Sequence, residues 1–345
     1  MTKRLCFLGL VTLLFLVACG EKKTFLVGKF YEGVLFGKKY QIDVVGDSTN
    51  YRPQIDSIIN VFESAFDLAN PNSTLSQFNL WQRKDTVFAF NDDSKMFGLI
   101  YSLMSDYNRH TFRYYDPTTN PLKRAWVLAR MQNQKEPNLD SLFQFVGFDG
   151  AKVDLEEVSS DGKTYLKTNM RKADPRIELD FTALAAAVTL DHIAQFLKEK
   201  GAIQLRIQSG RSVICMGNHS DTLTHVGIGL ASDSGEQKIR LINHAFTYKT
   251  AEDKAQMVDP TYGYPVENEM MYVATACPSL AQAEVFSEAF CIMGLDQASA
   301  YYQNDSSSTV QSYIFYLSED QLLHNASTKG FDGMLLIPNS NQQVP

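Results

Sequence analysis

The order of strand-like and helical segments constrains the fold of this chain more than any other feature. Alternating apolar residues around the Phe36-Gly37-Lys38 turn predict a β-hairpin over residues 31–45. Apolar residues recur at helical spacing over residues 53–68 and 182–200. Strands outnumber helices, their connections have hairpin length, and the helices come in blocks. This pattern favours an α+β fold of mixed, mainly antiparallel sheets with helices packed on them, in a two-lobed unit.

The same patterns predict the remaining elements. Further helices are expected over residues 93–109 and 279–294, and Gly201 is expected to end the helix that begins at residue 182. Two Asp-Gly hairpin signals lie between residues 143 and 172. Strands are expected over residues 177–181, 203–207, 213–216, 224–230, 238–248, 271–276, 310–317 and 333–337.

The charge of the chain excludes one class of partner. The formal net charge is −7, and no long basic run occurs in the 345 residues. Binding to nucleic acid requires clustered Lys and Arg that neutralise phosphates. We therefore expect no nucleic-acid partner.

The N-terminus has the features of an export signal. Lys3 and Arg4 precede an apolar run over residues 5–17, which is too short for an ordinary membrane-spanning helix. The sequence Leu16-Val17-Ala18-Cys19-Gly20 resembles a bacterial lipobox. We expect a signal peptide over residues 1–18, a lipidated tether over 19–27 and a single domain over 28–345. An ordinary signal peptide with a chance cysteine is the alternative.

Acylation of Cys19 would anchor the chain to a bacterial membrane, with its body facing the periplasm or the cell exterior. The three cysteines of the body are Cys215, Cys277 and Cys291, an odd number without C-x-x-C spacing. Each lies among apolar residues, so buried free thiols are expected, although one disulfide is compatible with an oxidising compartment. Neither thiol catalysis nor a zinc site is indicated.

Two Asp-Pro turns are the firmest local features. One is Asp116-Pro117, and the other opens the loop Asp259-Pro260-Thr261-Tyr262-Gly263. Proline fixes its own φ and restricts the residue before it, and Gly263 tolerates positive φ. Taken alone, each is a surface turn. The chain contains no G-x-S-x-G, P-loop, G-x-G-x-x-G or H-E-x-x-H signature, so no catalytic residue is assigned from motifs.

Taken in order, however, these stretches resemble the motifs of one family. The matching segments are Phe36-Gly37-Lys38, residues 73–79, Tyr115 to Thr118 with Pro121, Leu122 and Trp126, Asp180 with Asp191, residues 257–265, Ala283-Glu284 and Met293-Gly294. The chain resembles the ApbE family of periplasmic lipoproteins, which act as FAD:protein FMN transferases. The resemblance implies an ApbE-like fold and a Mg²⁺-dependent transfer of FMN from FAD to a Thr or Ser hydroxyl of a target flavoprotein.

Carried over residue by residue, the resemblance implies a flavin-nucleotide site and a metal site. The FAD-binding residues would be Phe36, Gly37, Asp116, Trp126, Asp180, Asp259, Tyr262 and Gly263. Arg211 and Lys249 are added to them as basic residues at positions where this chain departs from the family motifs. The metal ligands would be Glu284 and Glu288, which lie four residues apart on one helical face and can share a hard cation. A solvated acidic edge is the alternative for this pair. Arg211 and Lys249 are either a basic pair for phosphate or ordinary surface residues.

Several family positions are changed in this chain. The family's Lys and the Gly after it are replaced by Ala186 and Ala187, and its His before the Asp-Pro loop is replaced by Gln256. The family's metal-binding Asp and Thr are replaced by Glu284 and Glu288. Two hypotheses therefore stand: an FMN transferase with altered site residues, or an inactive lipoprotein of the same fold that binds flavin or a partner protein. The substitutions favour the second, and the family resemblance favours the first.

Overall fold

A long antiparallel sheet organises the structure, which is a computed structural model describing residues 26–83, 87–92, 94–148, 153–159, 166–217, 224–228, 237–304 and 309–336. The expected signal peptide, Cys19 and most of the expected tether lie outside the described residues. The strands are β1 (Val27–Leu35), β2 (Lys38–Gly46), β3 (Phe88–Asn91), β4 (Val153–Ser159), β5 (Leu166–Lys172), β6 (Gln204–Ser209), β7 (Ser212–Met216), β8 (His225–Ile228), β9 (Gln237–Arg240), β10 (His244–Thr250), β11 (Met270–Cys277), β12 (Gln311–Leu317) and β13 (Leu323–Ser327).

Ten described helices accompany these strands. They are α1 (Arg52–Phe66), α2 (Thr74–Leu80), α3 (Met96–His110), α4 (Asn120–Met131), α5 (Leu139–Leu142), α6 (Thr182–Glu199), α7 (Ala251–Lys254), α8 (Leu280–Met293), α9 (Leu295–Asn304) and α10 (Lys329–Asp332). No helix in the described ranges is long and apolar enough to cross a membrane.

The main sheet has eight strands in the order β1-β2-β6-β7-β10-β11-β12-β13, and all neighbours in it are antiparallel. Strands β3, β5 and β4 form a second sheet, and β8 and β9 form a third. The expected α+β class with mainly antiparallel sheets is confirmed.

The two faces of the main sheet carry different partners. Along β7 and β11 successive side chains alternate between two apolar clusters, as strand geometry requires. One cluster, which includes Ile214 and Val273, contains the buried faces of α1, α3, α6 and α8. The other, which includes Tyr272 and Phe246, is covered by β8, β9 and Phe331 of α10. The helices on the first face position the candidate site.

Helix α8 lies in the core and starts at a polar junction. Ser279 caps it by accepting a hydrogen bond from the Gln282 amide at 3.2 Å. The Asp191 carboxylate of α6 accepts the Leu280 and Ala281 amides at 2.8 and 2.9 Å. These bonds satisfy donors that a helix N-terminus leaves unpaired. They also fix α8 against α6, which explains why an aspartate is needed at position 191.

The structure corrects several expected elements. Residues 177–181 form no strand: Asn79 holds Leu179 through its amide side chain, with 2.8 Å bonds to both the Leu179 amide and its carbonyl. The expected strand over 238–248 is split into β9 and β10. The expected closing strand over 333–337 is replaced in its described part by a turn after α10 and a single bridge from Leu335 to Ile239, and the last sheet strand is β13 instead.

Helix α4 was not expected from the sequence. It follows the Asp116-Pro117 turn directly and has Pro121 in its first turn, where the missing amide hydrogen costs no helical bond. Among the described cysteines, Cys215, Cys277 and Cys291 are buried and form no disulfide, as expected.

Candidate functional site

A polar cleft forms where the β1–β2 turn, the starts of α4 and α6, and helix α8 come together. Its volume is about 230 Å³. The structure thus brings three expected site residues, Phe36, Asp116 and Asp180, to one place with Glu288 of the expected metal pair. The lining residues are Phe36, Lys38, Tyr115, Asp116, Pro117, Thr119, Asn120, Lys123, Asp180, Thr182, Ala183, Ala186 and Glu288.

Phe36 and Gly37 form the tight turn between β1 and β2. Both have positive φ, 47° and 74°, and the Phe36 amide donates to the Glu63 carboxylate of α1 at 2.7 Å. A non-glycine residue at positive φ is uncommon and needs support from its surroundings. The bond to Glu63 gives that support and places the Phe36 ring at the cleft.

Asp116 and Asp180 shape the cleft wall through backbone contacts. Asp116 accepts the Thr118 amide and the Phe148 amide, each at 2.8 Å. Asp180 accepts the Thr182 amide at 2.9 Å and the Asn120 side chain at 3.1 Å. The Asp180 amide donates to the Pro117 carbonyl at 2.8 Å. Much of the hydrogen-bonding capacity of both carboxylates is therefore used to hold the two loops together.

Lys249 and Glu284 form an ion pair behind the cleft. The ammonium of Lys249 on β10 contacts the Glu284 carboxylate on α8, and their side chains are only 15% and 12% exposed. Thr247 donates its hydroxyl to the other Glu284 oxygen at 3.4 Å. Burial alone would lower the pKa of Lys249, but the charges of Glu284 and Glu288 raise it above its ordinary value. The acidic pair is therefore not a solvated edge.

A divalent cation does not fit this arrangement as it stands. The Lys249 ammonium contacts one Glu284 oxygen and the Thr247 hydroxyl donates to the other, so a cation bound by Glu284 would have to displace the ammonium or lie beside its positive charge. Mg²⁺ requires near-octahedral oxygen ligation. Within the described ranges no three His, Cys, Asp or Glu side chains gather as a metal-binding group. The metal site at Glu284 and Glu288 stays a prediction.

Arg211 lies apart from Lys249. Its guanidinium pairs with Asp253 of α7 and lies over the Tyr248 ring, 5.2 Å from the centroid. Tyr248 packs on the cluster covered by β8 and β9, whereas Lys249 faces α8. Neighbouring residues of a strand point to opposite faces, so the two cations act on opposite sides of the sheet. The structure does not bring them together as a pair.

The Asp259 loop is anchored by Trp126 of α4. The indole N–H donates to the Gly263 carbonyl at 2.7 Å, and the rings of Trp126 and Tyr264 lie 5.7 Å apart. The Asp259 carboxylate accepts the amides of Thr261 and Tyr262 at 2.7 and 3.3 Å, which closes the turn on itself. Tyr262 is 65% exposed and projects from the loop.

A second cavity of about 460 Å³ lies between α4 and the start of this loop. Lys123 lines both this cavity and the polar cleft. Trp126 and Gln256 are at its wall. The lining residues are Lys123, Arg124, Trp126, Val127, Leu128, Arg130, Ala255, Gln256, Met257 and Val258.

Two cleft lysines were missed from the sequence. Lys38 and Lys123 both line the polar cleft, and neither forms an ion pair with any described carboxylate. Lys38 was visible as the last residue of the Phe36-Gly37-Lys38 turn. Lys123 lies one helical turn into α4, a helix that the sequence did not reveal, and no local signal pointed to it.

Comparison with known proteins identifies the family. A sequence model of the ApbE family matches residues 36–314. The chain belongs to the ApbE family. Two curated ApbE relatives are each named FAD:protein FMN transferase. That of Buchnera aphidicola is 23% identical over 286 residues, covering 77% of this chain and 80% of the relative. That of Haemophilus influenzae is 20% identical over 307 residues, covering 82% and 85%.

Solved ApbE structures share the fold. The flavin transferase ApbE of Vibrio cholerae matches with a TM-score of 0.71 and 17% identity, covering 90% of this chain and 100% of that one. The apo flavinyl transferase ApbE of Pseudomonas stutzeri matches with a TM-score of 0.72 and 18% identity, covering 90% and 97%. The expected ApbE-like fold is therefore confirmed.

Proposed function

We propose that this chain is an FAD:protein FMN transferase whose flavin-nucleotide site is the pair of cavities that meet at Lys123. The observation that carries the proposal is this junction of a polar cleft with a more apolar cavity, both built on segments that match ApbE motifs. The substrate combines the same two features, because FAD carries a charged pyrophosphate between two aromatic ring systems.

The polar cleft suits the pyrophosphate. Lys38 and Lys123 face it without ion-pair partners among the described carboxylates, so both ammonium groups are available to phosphate oxygens. The second cavity suits a ring, because Trp126, Met257 and Val258 offer aromatic and apolar contact. Val127 and Leu128 are 53% and 54% exposed there and would be covered by a bound ring.

The reaction would be a displacement at phosphorus. The hydroxyl oxygen of a Thr or Ser on the acceptor protein attacks the FMN phosphorus of FAD. The bond from that phosphorus to the bridging oxygen breaks, and AMP leaves with the electron pair. The hydroxyl proton passes to solvent, and FMN stays on the acceptor as a phosphate ester. The role of this chain would be to bind the pyrophosphate, align the attacking oxygen and stabilise the charge that develops on the leaving AMP.

A second candidate is flavin binding without transfer. Two substitutions favour it. Ala186 lines the cleft where the resemblance implies a lysine, and Gln256 lines the second cavity in place of a histidine. Both substitutions replace a titratable group by one that cannot carry charge. An inactive protein of this kind would hold FAD intact or use the same surface for a partner protein.

The proposal includes export and lipid anchoring. Cleavage before Cys19 and acylation of its thiol would place residues 28–345, as a single domain, at a bacterial membrane facing the periplasm or the cell exterior. An acceptor flavoprotein would then have to be exported too. The Mg²⁺ dependence implied by the family resemblance remains a prediction.

The transfer reaction tests the proposal. The purified protein would be incubated with FAD and the acceptor flavoprotein of the Vibrio cholerae flavin transferase, with that transferase as the positive control. A fluorescent acceptor band with equimolar AMP release is the expected result, and parallel reactions in Mg²⁺ and in EDTA test whether the transfer depends on a metal. Tight binding of intact FAD with neither band nor AMP would favour the second candidate. Absence of FAD binding would contradict the transferase and an inactive flavin-binding protein alike, and would leave a partner protein as the ligand of this surface.

A further inference from the structure

We propose that the Lys249 ammonium permanently occupies the position that the family resemblance assigns to a divalent cation, so that this site is built to work without a metal. The proposal concerns the group formed by Lys249, Glu284, Glu288 and Thr247. Whether Lys249 occupies the metal position does not depend on the proposed function, because it concerns the protein alone. Only the consequence for binding of the FAD pyrophosphate rests on the proposed function.

The two glutamates are exceptional on their helix. Every residue of α8 from Leu280 to Met293 is buried except Gln282, Glu284 and Glu288, and the last two are one turn apart on one face. Two carboxylates in such surroundings require a positive counter-charge, because an unpaired buried charge is strongly unfavourable. The sheet beneath supplies that charge from Lys249.

Strand β10 directs the Lys249 side chain towards the two glutamates of α8. Lys249 pairs with Val273 of β11 in the main sheet, and Val273 belongs to the apolar cluster that α8 covers. The lysine side chain therefore rises from the sheet towards the helix and reaches Glu284 directly. Thr247, two residues earlier on the same face of β10, holds the second oxygen of that carboxylate.

Other groups around the cluster give it a negative balance. Glu288 acts on Lys249 and also lines the polar cleft, whereas the nearby Asp253 charge is paired with Arg211. Tyr115 is buried next to the same two glutamates; burial, and then their charges, raise the pKa of its phenol. It therefore stays neutral. The lysine is consequently the only group of the cluster that carries positive charge.

An ammonium and a divalent cation exclude each other here. A metal ion bound by Glu284 would have to displace the ammonium from its contact or lie beside it, where like charges repel at low effective dielectric. The ammonium is held covalently in place and contacts Glu284 directly. Glu288 links the filled position to the cleft, so Lys249 offsets part of the negative charge at this wall of the cleft from within the chain.

Metal titration without FAD tests occupancy. Mn²⁺ binding would be followed by electron paramagnetic resonance, and thermal stability would be followed in MgCl₂ against NaCl of equal ionic strength. The unmodified protein is expected to show neither Mn²⁺ binding that depends on Glu284 nor stabilisation specific to Mg²⁺. Lys249→Met frees both glutamates and is expected to bind Mn²⁺ about tenfold more tightly or better than the unmodified protein. Lys38→Met, which removes a cleft lysine instead, is the matched control and is expected to bind no more Mn²⁺.

Two results would overturn the proposal. One is Mn²⁺ binding by the unmodified protein that Glu284→Gln or Glu288→Gln abolishes, a result that does not depend on the stability of any lysine variant. The other is a folded Lys249→Met protein that binds Mn²⁺ no better than the unmodified one. A separate FAD titration in EDTA tests the proposed function, because FAD binding that is absent with and without metal contradicts the flavin site and leaves the metal result standing.

Discussion

Lys249 of strand β10 and Glu284 of helix α8 form an ion pair that joins the main sheet to the helix behind the polar cleft. Both side chains are largely shielded from water, which distinguishes this pair from exposed pairs such as Arg109 with Asp106. Exposed pairs contribute little to stability, whereas removal of one partner from a buried pair leaves an uncompensated charge. The pair is therefore a structural element as well as a part of the candidate site.

Breaking this pair should destabilise the fold. Glu284→Gln removes the contacting charge and is expected to lower the free energy of unfolding by about 3 kcal/mol, at the low end for buried pairs because Glu288 remains. The double variant Lys249→Met with Glu284→Leu should recover much of that loss. Urea unfolding of Lys249→Met, Glu284→Leu and the double variant completes the cycle that measures the coupling. If the loss of unfolding free energy in the double variant equals the sum of the two single losses, the two charges do not stabilise each other.

Asp191 should make stability depend on pH. Burial raises the pKa of its carboxyl from 3.8 to about 6, although the Leu280 and Ala281 amides oppose the rise. The folded state therefore binds the proton more tightly, so this group stabilises the fold below its unfolded pKa and that contribution is lost as pH rises through the folded value. We expect the unfolding free energy of the protein, relative to Asp191→Asn, to fall by about 2 kcal/mol between pH 4.5 and pH 7.

Urea unfolding at several pH values measures this difference. Asp140→Asn, at an exposed aspartate of α5, controls for the loss of one acidic charge. If the unfolding free energies of the protein and of Asp191→Asn differ by the same amount over this pH range, the raised pKa of Asp191 is contradicted.

Lys172 should be essential for the loop that carries Asp180. Its ammonium is buried and donates to the carbonyls of Phe78, Asn79 and Ile177 at 3.0, 3.2 and 3.2 Å. Lys172→Met leaves these three carbonyls without their donor and is expected to cost about 3 kcal/mol of unfolding free energy. Lys198→Met, at an exposed lysine near the end of α6, should change it by less than about 0.5 kcal/mol. Similar losses in chemical denaturation of both variants would refute the role.

Gly263 should be required for two reasons. Its φ is +77°, and a Cβ there would lie 2.9 Å from Cζ of Phe143. Gly201 has a comparable φ of +87°, but no atom lies within 4 Å of a Cβ built there. Gly201→Ala therefore measures the free-energy cost of the positive φ alone. We expect Gly201→Ala to cost about 1 kcal/mol and Gly263→Ala about 1 kcal/mol more. Calorimetric melting of both variants gives the comparison. Equal losses of unfolding free energy would mean that the Phe143 ring moves aside without cost.

The sequence predicted those parts of the fold in which local pattern and tertiary contact agree. The β1–β2 hairpin and helices α1, α6 and α8 follow from apolar periodicity because each places one regular face on the core. The segment over 177–181 has strand composition but is held by the Asn79 side chain and by Pro117 rather than by a strand. Composition alone cannot reveal such a partner, because it lies 100 residues away in the chain.

The sequence predicted which loops form the candidate site, but not which partners its charged side chains contact. Phe36, Asp116 and Asp180 reach one cleft because their turns are specified locally by glycine, proline and side-chain bonds to nearby amides. The ion pairs of Lys249 and Arg211 depend on which sheet face each side chain occupies, and the register across β7, β10 and β11 decides that. Lys123 was missed because no strong pattern in the sequence predicts helix α4.

FAD binding to the cleft at Lys123 is the most direct test of the account. Equilibrium titration of FAD fluorescence with the purified protein in EDTA should show saturable binding. Lys123→Ala should weaken it by about tenfold, through loss of one charged contact to phosphate. Lys198→Ala, which removes an exposed lysine of α6, should leave the affinity unchanged. Absence of saturable binding at millimolar FAD, or equal affinities of the protein and Lys123→Ala, would contradict the assignment of the flavin site.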